Sequence, residues 1–276
     1  MIPAAFDYER PTTLDEAIRA LGAGNDVKVL AGGQSLLPLL KLRLARVERL
    51  VDIGRVGELR GVTETGDGGF AIGALTTYAQ LMGSPAARLG VLADVLPTIG
   101  DVQVRNLGTI GGSIAHADPA SDMPAVLLAL DATVVARGLN GERTIGIGEF
   151  FRGPFETALR DDEILTEIRI PALPAGSGSA YASIEQRASG YALVGVAAVT
   201  GRAGAQVGIT GVGHAAYRAS AVEEALGRGA SIQQAAAHAT DGIDVASDIH
   251  CDRDYRTAMT AVYVARALEA ATGRAG

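Results

Sequence analysis

The chain contains no tryptophan, one cysteine and only five phenylalanines in 276 residues. A single thiol, Cys251, excludes an internal disulfide. It cannot supply the four thiolates that hold an iron–sulfur cluster either, so cluster chemistry would have to lie on another chain. Cys251 stands among acidic residues, which raise a thiol pKa rather than activate it, and it is expected to be inert. The four histidines, His116, His214, His238 and His250, form no i, i+4 pair and no cluster with the cysteine, which argues against zinc. His238, among alanines in an expected helix, reads as structural, whereas His116 could touch a ligand or equally be a hydrogen-bonded loop histidine. No apolar run approaches the length of a transmembrane helix. The first ten residues lack the basic and apolar segments of a secretory signal. Positive charge is also scarce, with 24 Lys and Arg against 31 Asp and Glu and a net charge of −7. That balance disfavours nucleic acid and anionic membrane surfaces as partners. It also means that an anionic ligand would need local donors. The expected location is cytoplasmic.

Two familiar phosphate signatures are missing as well. There is no Walker loop and no G-x-G-x-x-G fingerprint. Gly111-Gly112-Ser113-Ile114-Ala115 lacks the closing glycine of a nucleophile elbow, which weakens a hydrolase reading.

What the chain has in excess is glycine, 36 residues, and enough length to bury a sizeable core in one large or two ordinary domains. Thr13-Leu14-Asp15-Glu16 has the spacing of a capping box, and Leu14, Ala17, Ile18 and Leu21 recur at helical period. Strands are expected over 27–31 and 49–53, and hairpins over 61–65 with 70–74 and over 132–136 with 143–147. The alternation over 164–170 reads as another strand. Helical patterns cover 76–82, 91–99 and 123–130. Residues 171–179 are uncharged turn formers and mark a domain boundary. Beyond it, strands are expected over 181–187, 192–199 and 205–210. Helices follow over 222–226, 232–240 and 255–271, the last capped by Asp252 or Asp254 and presenting Tyr255, Ala258, Met259, Val262, Ala265 and Leu268 on one face.

Two stretches carry the chemistry. The first is Val29, Leu30, Ala31, Gly32, Gly33, Gln34, Ser35 and Leu36. Glycines just after a strand let the backbone turn sharply and approach a ligand, and successive amides in such a turn can converge on a phosphate. Taken alone, this stretch is better explained as an ordinary strand–helix loop, and it is the second copy of the same logic that shifts the balance. The second, Thr109, Ile110, Gly111, Gly112 and Ser113, repeats the same logic and runs into Asp118-Pro119-Ala120-Ser121-Asp122. Hydroxyls and glycine amides suit a pyrophosphate, and Asp suits sugar hydroxyls, although Asp122 could equally be a helix N-cap. Lys41, Arg43, Arg46 and Arg49 form a basic run, a solvated face or a partner surface.

Taken together, these motifs resemble the FAD-binding medium subunit of molybdenum hydroxylases, the group that includes aerobic carbon monoxide dehydrogenase and xanthine dehydrogenase. The resemblance rests on Ala31-Gly32-Gly33-Gln34-Ser35-Leu36, on residues 103–113 and on residues 117–122. It continues through Asp162-Glu163-Ile164-Leu165, residues 191–197, and Ser247-Asp248-Ile249-His250 with Tyr255-Arg256, and so covers essentially the whole chain. It implies an α+β fold. A two-lobed FAD-binding domain of the vanillyl-alcohol-oxidase (PCMH) type would span residues 1–174, with lobes of about 1–53 and 54–174. A smaller α+β domain with an antiparallel sheet and helices would span 178–276. It further implies non-covalent FAD, with residues 29–36 and 109–113 wrapping the pyrophosphate and Asp122 on the ribityl or ribose hydroxyls. Leu165 would touch the cofactor through its backbone, Ile99 would lie near the flavin ring, and Tyr191 would lie against the isoalloxazine. A side chain at Gly32 would then fill the space the phosphates need.

One departure is visible. Relatives commonly read Arg-x-Gly-Asp-aromatic-Ala where this chain has Arg187-Ala188-Ser189-Gly190-Tyr191-Ala192, so Gly190 replaces an acidic residue. The resemblance also implies partners, a small [2Fe–2S] subunit and a large molybdopterin subunit in a dimer of heterotrimers. Molybdenum cofactor and clusters would sit only on those chains, and no residue here would act as acid–base catalyst or metal ligand. Electrons would pass through FAD to quinone or NAD, with the complex at most peripheral to the inner face of the membrane. The rival readings are a stand-alone FAD-dependent oxidoreductase of the same superfamily and a non-redox nucleotide-binding module.

Overall fold

The computed structural model describes residues 2–24 and 26–276; Met1, where the expected first lobe begins, lies outside them. The chain opens on a small parallel sheet. Strand β1 (Asp7–Glu9) leads into helix α1 (Leu14–Leu21), strand β2 (Val27–Leu30), helix α2 (Leu36–Lys41) and strand β3 (Arg49–Asp52). Strands β1 and β2 both pair with the central β3 in parallel. Alternation along β3 splits its side chains between two small cores: Val51 packs with α1, and Leu50 with Leu40 of α2. The capping box forms as expected, with Thr13 accepting from Glu16 and Glu16 reaching back to the Thr13 amide.

Strands β4 (Val62–Glu64) and β5 (Phe70–Gly73) form a hairpin, followed by helices α3 (Tyr78–Met82), α4 (Gly90–Val95), α5 (Val102–Leu107), α6 (Ile110–His116) and α7 (Asp122–Ala129). Strands β6 (Thr133–Gly138) and β7 (Gly141–Gly146) make a second hairpin. The short pair β8 (Phe151–Gly153) and β9 (Glu156–Thr157) precedes β10 (Ile164–Ile170). The result is an antiparallel five-stranded sheet in the order β4-β5-β10-β6-β7, so β10 inserts between two hairpins formed far earlier. Strands β11 (Gly178–Glu185), β12 (Ala192–Gly201), β13 (Gly204–Thr210) and β14 (Tyr217–Arg218) form an antiparallel four-stranded sheet. Helices α8 (Ser220–Gly227), α9 (Ile232–Ala236) and α10 (Arg253–Arg274) follow it.

Both faces of the four-stranded sheet are buried. Along β12, Val194, Val196 and Ala198 point into the core with the last helices, while Ala197 and Val199 join the large core beneath α4 and α7. Helix α7 is buried along its whole length, as a helix caught between two sheets must be. Its backbone lies so close to β13 that a Cβ on Gly208 would sit 2.0 Å from the Ala125 carbonyl oxygen.

Several elements differ from the sequence expectation. The pattern over 91–99 breaks after Val95, because Pro97 removes a donor and a 3₁₀ turn takes over. The helix expected over 232–240 ends at Ala236. His238 lies beyond it, exposed, with its ring Nδ1 2.7 Å from Asp241 Oδ2. The buried stripe of α10 is Arg256, Thr260, Val264, Ala267, Leu268 and Ala271, whereas Tyr255 and Val262 are exposed. The apolar pattern misplaced that face because two polar residues belong to it. Arg256 is buried by pairing with Asp248 at 2.8 Å and donating to the Ala246 carbonyl at 2.6 Å, and the Thr260 hydroxyl donates to the Arg256 carbonyl at 2.7 Å. Burial raises the Cys251 pKa first of all, Arg256 opposes it and Asp248 and Asp252 add to it, which agrees with an inert thiol.

Candidate functional site

The first glycine stretch leaves β2 and enters α2. Gly33 has φ +73°, a left-handed conformation that suits glycine. The amides of Gly32, Gly33, Gln34 and Ser35 donate to no acceptor among the described residues. Four consecutive unsatisfied N–H groups beside a cleft form a concavity for an anion.

The second glycine stretch is built differently. It is the first turn of α6, with Thr109 as N-cap accepting from the Gly112 amide at 3.2 Å. The Ile110 and Gly111 amides donate to the Thr76 and Ala74 carbonyls, and the Ser113 amide to the Thr109 carbonyl. Of its five amides only that of Thr109 finds no acceptor among the described residues, too few for a nest, so what this stretch offers the cleft is chiefly its hydroxyls and a surface thin enough to approach. The side-chain-free face of Gly111 is spent on close packing, since a Cβ there would lie 2.5 Å from that of Ala74.

The two stretches touch each other through backbone. A Cβ on Gly32 would lie 2.1 Å from the Leu107 carbonyl oxygen and 2.9 Å from the Gly108 Cα. That corrects the expected role of Gly32: the space it leaves open is filled by the neighbouring loop, and a side chain there would push the two walls apart.

Between those walls runs a cleft of about 640 Å³, within the range of cofactor and ligand sites of roughly 300–1,000 Å³. Of the residues singled out from the sequence, Val29, Leu30, Ala31, Gly32, Gly33, Gln34, Ser35, Leu36, Ile99, Thr109, Gly112, Ser113, Asp122 and Tyr191 all line it. Ile110, Gly111 and Leu165 stand outside its wall. Ile110 is fully buried, and Leu165 sits in the central strand β10, paired with Ala136 and packed in the large core.

The cleft also gathers residues that the motifs did not single out for it. Lys28 and Arg46 line it, and neither forms a salt bridge among the described residues. On an acidic protein they are the local positive charge an anion requires. Lys28 was hidden because it occupies a strand position of ordinary alternation. Gly100, Val104 and Phe155 add apolar and backbone surface. His116 lies on the wall with its ring 5.0 Å from that of Phe155, and burial lowers its pKa.

Asp122 opens α7 and is 8% exposed. Burial pushes its carboxyl up to about 6, against the hydrogen bond it accepts from the Tyr181 hydroxyl; Glu185 raises it further. Ser121 next to it shares a 2.9 Å hydrogen bond with Ser113. Tyr191 is 44% exposed at the base of the turn between β11 and β12. That turn is closed by the Gln186 amide donating to the Tyr191 carbonyl and the Gly190 amide donating to the Gln186 carbonyl, both at 2.8 Å. Gly190 has φ +74° with nothing near its missing Cβ. The turn therefore exploits glycine for its backbone.

The cleft thus brings together a row of unsatisfied amides, two cations, hydroxyl and carboxylate side chains, and apolar surface. No group of three or more potential metal-ligating side chains occurs among the described residues. An adenine dinucleotide with a central pyrophosphate fits these features: unsatisfied amides and two cations for the diphosphate, a buried carboxylate for sugar or polyol hydroxyls, and aliphatic surface for rings.

Comparison with known proteins agrees with this geometry. Residues 4–173 match the family described as the FAD binding domain in molybdopterin dehydrogenase. The carbon monoxide dehydrogenase medium chain of Hydrogenophaga pseudoflava is 41% identical over 286 aligned residues, covering 99% of each chain. The caffeine dehydrogenase subunit beta of Pseudomonas sp. strain CBB1 is 33% identical, covering 99% of this chain and 97% of its own length. Among solved structures, H. pseudoflava carbon monoxide dehydrogenase lacking the Mo-pyranopterin moiety superimposes with a TM-score of 0.95 at 42% identity, over 100% of both chains. A chain of quinoline 2-oxidoreductase from Pseudomonas putida 86 does so with a TM-score of 0.91 at 32% identity, over 99% of both.

Proposed function

Because the chain belongs to the family of FAD-binding domains of molybdopterin dehydrogenases, we propose that it is the FAD-carrying medium subunit of a heteromeric molybdenum hydroxylase. The observation that carries this is the full-length likeness to a carbon monoxide dehydrogenase medium chain, together with the cleft its glycine loops form. The unsatisfied amides of residues 32–35, with Lys28 and Arg46, would hold the pyrophosphate of non-covalently bound FAD. Thr109 and Ser113 would offer hydroxyls to the same region, and Asp122 would accept from sugar or polyol hydroxyls. Ile99, Val104 and Tyr191 supply apolar surface in the cleft, against which the flavin ring would lie. FAD supplies the electron exchange when bound, and the residues around it bind, orient and tune it. The division into residues 1–174 and 178–276 belongs to the same reading.

The [2Fe–2S] clusters and molybdenum cofactor would be held by a small and a large partner subunit, in keeping with a chain that has one cysteine. We assign the electron acceptor to quinone or NAD and the assembly to a dimer of heterotrimers. Among the described residues no helix is long and apolar enough to cross a membrane, and any membrane association would be peripheral.

The test is reconstitution of the purified chain with FAD, read by visible absorption, and co-purification of the native complex. A flavin spectrum and two partner chains are expected. A chain that retains no flavin, or that turns over a small substrate unaided, would refute the subunit assignment.

A further inference from the structure

The C-terminal sheet lies outside the segment matched by the family model, yet it grips the cofactor cleft from behind. The Thr210 hydroxyl, at the end of β13, lies 2.8 Å from both the Pro119 and Ser121 carbonyl oxygens, and the Gly211 amide donates to the Pro119 carbonyl at 2.8 Å. These contacts hold the turn that delivers Asp122. The fourth contact is Tyr181, on β11, fixed at both ends by carboxylates of the other unit. Its amide donates to Asp94 Oδ2 at 3.0 Å, and its hydroxyl donates to Asp122 Oδ1. Asp94 is itself held by Arg274, at 2.6 and 3.0 Å. The neighbouring strand leaves room for the phenol, since a Cβ on Gly195 would lie 2.1 Å from the Tyr181 hydroxyl.

We infer that Tyr181 is a positioning residue for FAD: by donating to one oxygen of Asp122 it aims the other at the cleft and keeps the carboxylate ready to accept hydroxyl groups. This rests on the FAD reading above and adds a residue of the second unit to it. The reasoning is electrostatic. A buried carboxylate prefers its proton, and a protonated Asp122 offers one acceptor fewer to the ligand. The Tyr181 hydrogen bond favours the ionised form, whereas Glu185 on the same strand disfavours it. Tyr78 and Tyr191 also face Asp122, and both stay neutral because burial raises their pKa values. Tyr181 is thus the one neighbour among these that donates to the carboxylate, and it belongs to the other unit.

The experiment is a titration of the full chain with FAD, followed by flavin fluorescence between pH 5 and pH 9, for wild type and Tyr181→Phe. Wild-type affinity should rise through the titration of Asp122 near 6 and then level off. In Tyr181→Phe the rise should move up by about one pH unit, the size expected for losing one hydrogen bond to a charged group, with an affinity about twofold lower at pH 7 and several-fold to about tenfold lower between pH 6 and pH 5. Gly195→Ala, which crowds the hydroxyl without removing it, should displace the rise in the same direction and serves if Tyr181→Phe fails to fold. Unmoved midpoints and plateaus in both variants would overturn the positioning role, even if their melting temperatures fell, because a packing role changes stability without moving the pH profile. Failure of the wild type to bind FAD at any pH would instead overturn the FAD reading, and this inference with it.

Discussion

Gly32→Ala tests the site at the contact that defines it. The new methyl carbon would sit 2.1 Å from the Leu107 carbonyl oxygen, while ordinary contact begins at 3.4 Å, so the two loops must part by about 1.3 Å. Neither side yields easily, because the obstacle is backbone. The Gly108 amide is bound to the Val104 carbonyl at 2.6 Å, and the Gly108 carbonyl accepts from the Tyr78 amide at 3.1 Å. Overpacking of this kind costs about 1–3 kcal/mol, or roughly 2–10 °C in melting temperature for a chain of this size. Displacing one wall by that much also takes one or two amide donors out of reach of a diphosphate. At about 1.5–3 kcal/mol for each bond to a charged group, FAD affinity should fall at least tenfold. The assay is thermal melting of the FAD-free chain alongside an FAD titration. If the FAD-free variant melts as the wild type does, the glycine does not serve loop-to-loop contact. If affinity is also unchanged, the clamp itself is wrong.

Asp122→Asn should show a pH-dependent gain in stability. Because its folded pKa is raised from 3.8 to about 6, the native state binds more protons than the unfolded one. Native stability is therefore lost as pH rises from about 4 to 6 and stays low above that, by up to about 3 kcal/mol. The FAD-free variant should melt above wild type at pH 8, with the gap closing toward pH 4, and should bind FAD more weakly; a gap independent of pH would refute the assignment. Lys28→Gln with Arg46→Gln should weaken FAD binding about 5–10-fold at low salt, with a shrinking difference as salt is raised, checked by titration at two ionic strengths. Arg143→Ala should destabilise the chain by about 2–3 kcal/mol, measured by urea unfolding. Glu163, its side chain 5% exposed, then loses both guanidinium bonds, each 2.7 Å long. The loss falls below that of a fully enclosed pair because Arg143 is one-third exposed.

Local rules were legible in the chain: the Thr13 capping box, the hairpins around Gly66-Asp67-Gly68-Gly69 and around Asn140, and the alternation of β10 follow from short-range sterics and period. So was the pairing of two glycine stretches with Asp122, because each consists of neighbouring residues of unusual type. What the sequence could not decide was how the two stretches differ. Both read as glycine turns, yet one leaves four amides free and the other is a capped helix whose amides over residues 110–113 are all spent. That distinction depends on Ala74 and Thr76, more than thirty residues away, whose carbonyls happen to be within reach. Gly32 is the same case, for its constraint comes from Leu107. Lys28 and Tyr181 join the site only through tertiary packing, with nothing in their local sequence to mark them, and the basic run that contains Arg46 did not show that Arg46 would face the cleft. Composition thus showed that this chain lacks the thiolates to hold a cluster by itself, and the resemblance carried by its motifs implied a bound FAD. Tertiary structure alone decided which atoms are left free to hold it, since hydrogen-bond donors are spent or spared by partners distant in the chain.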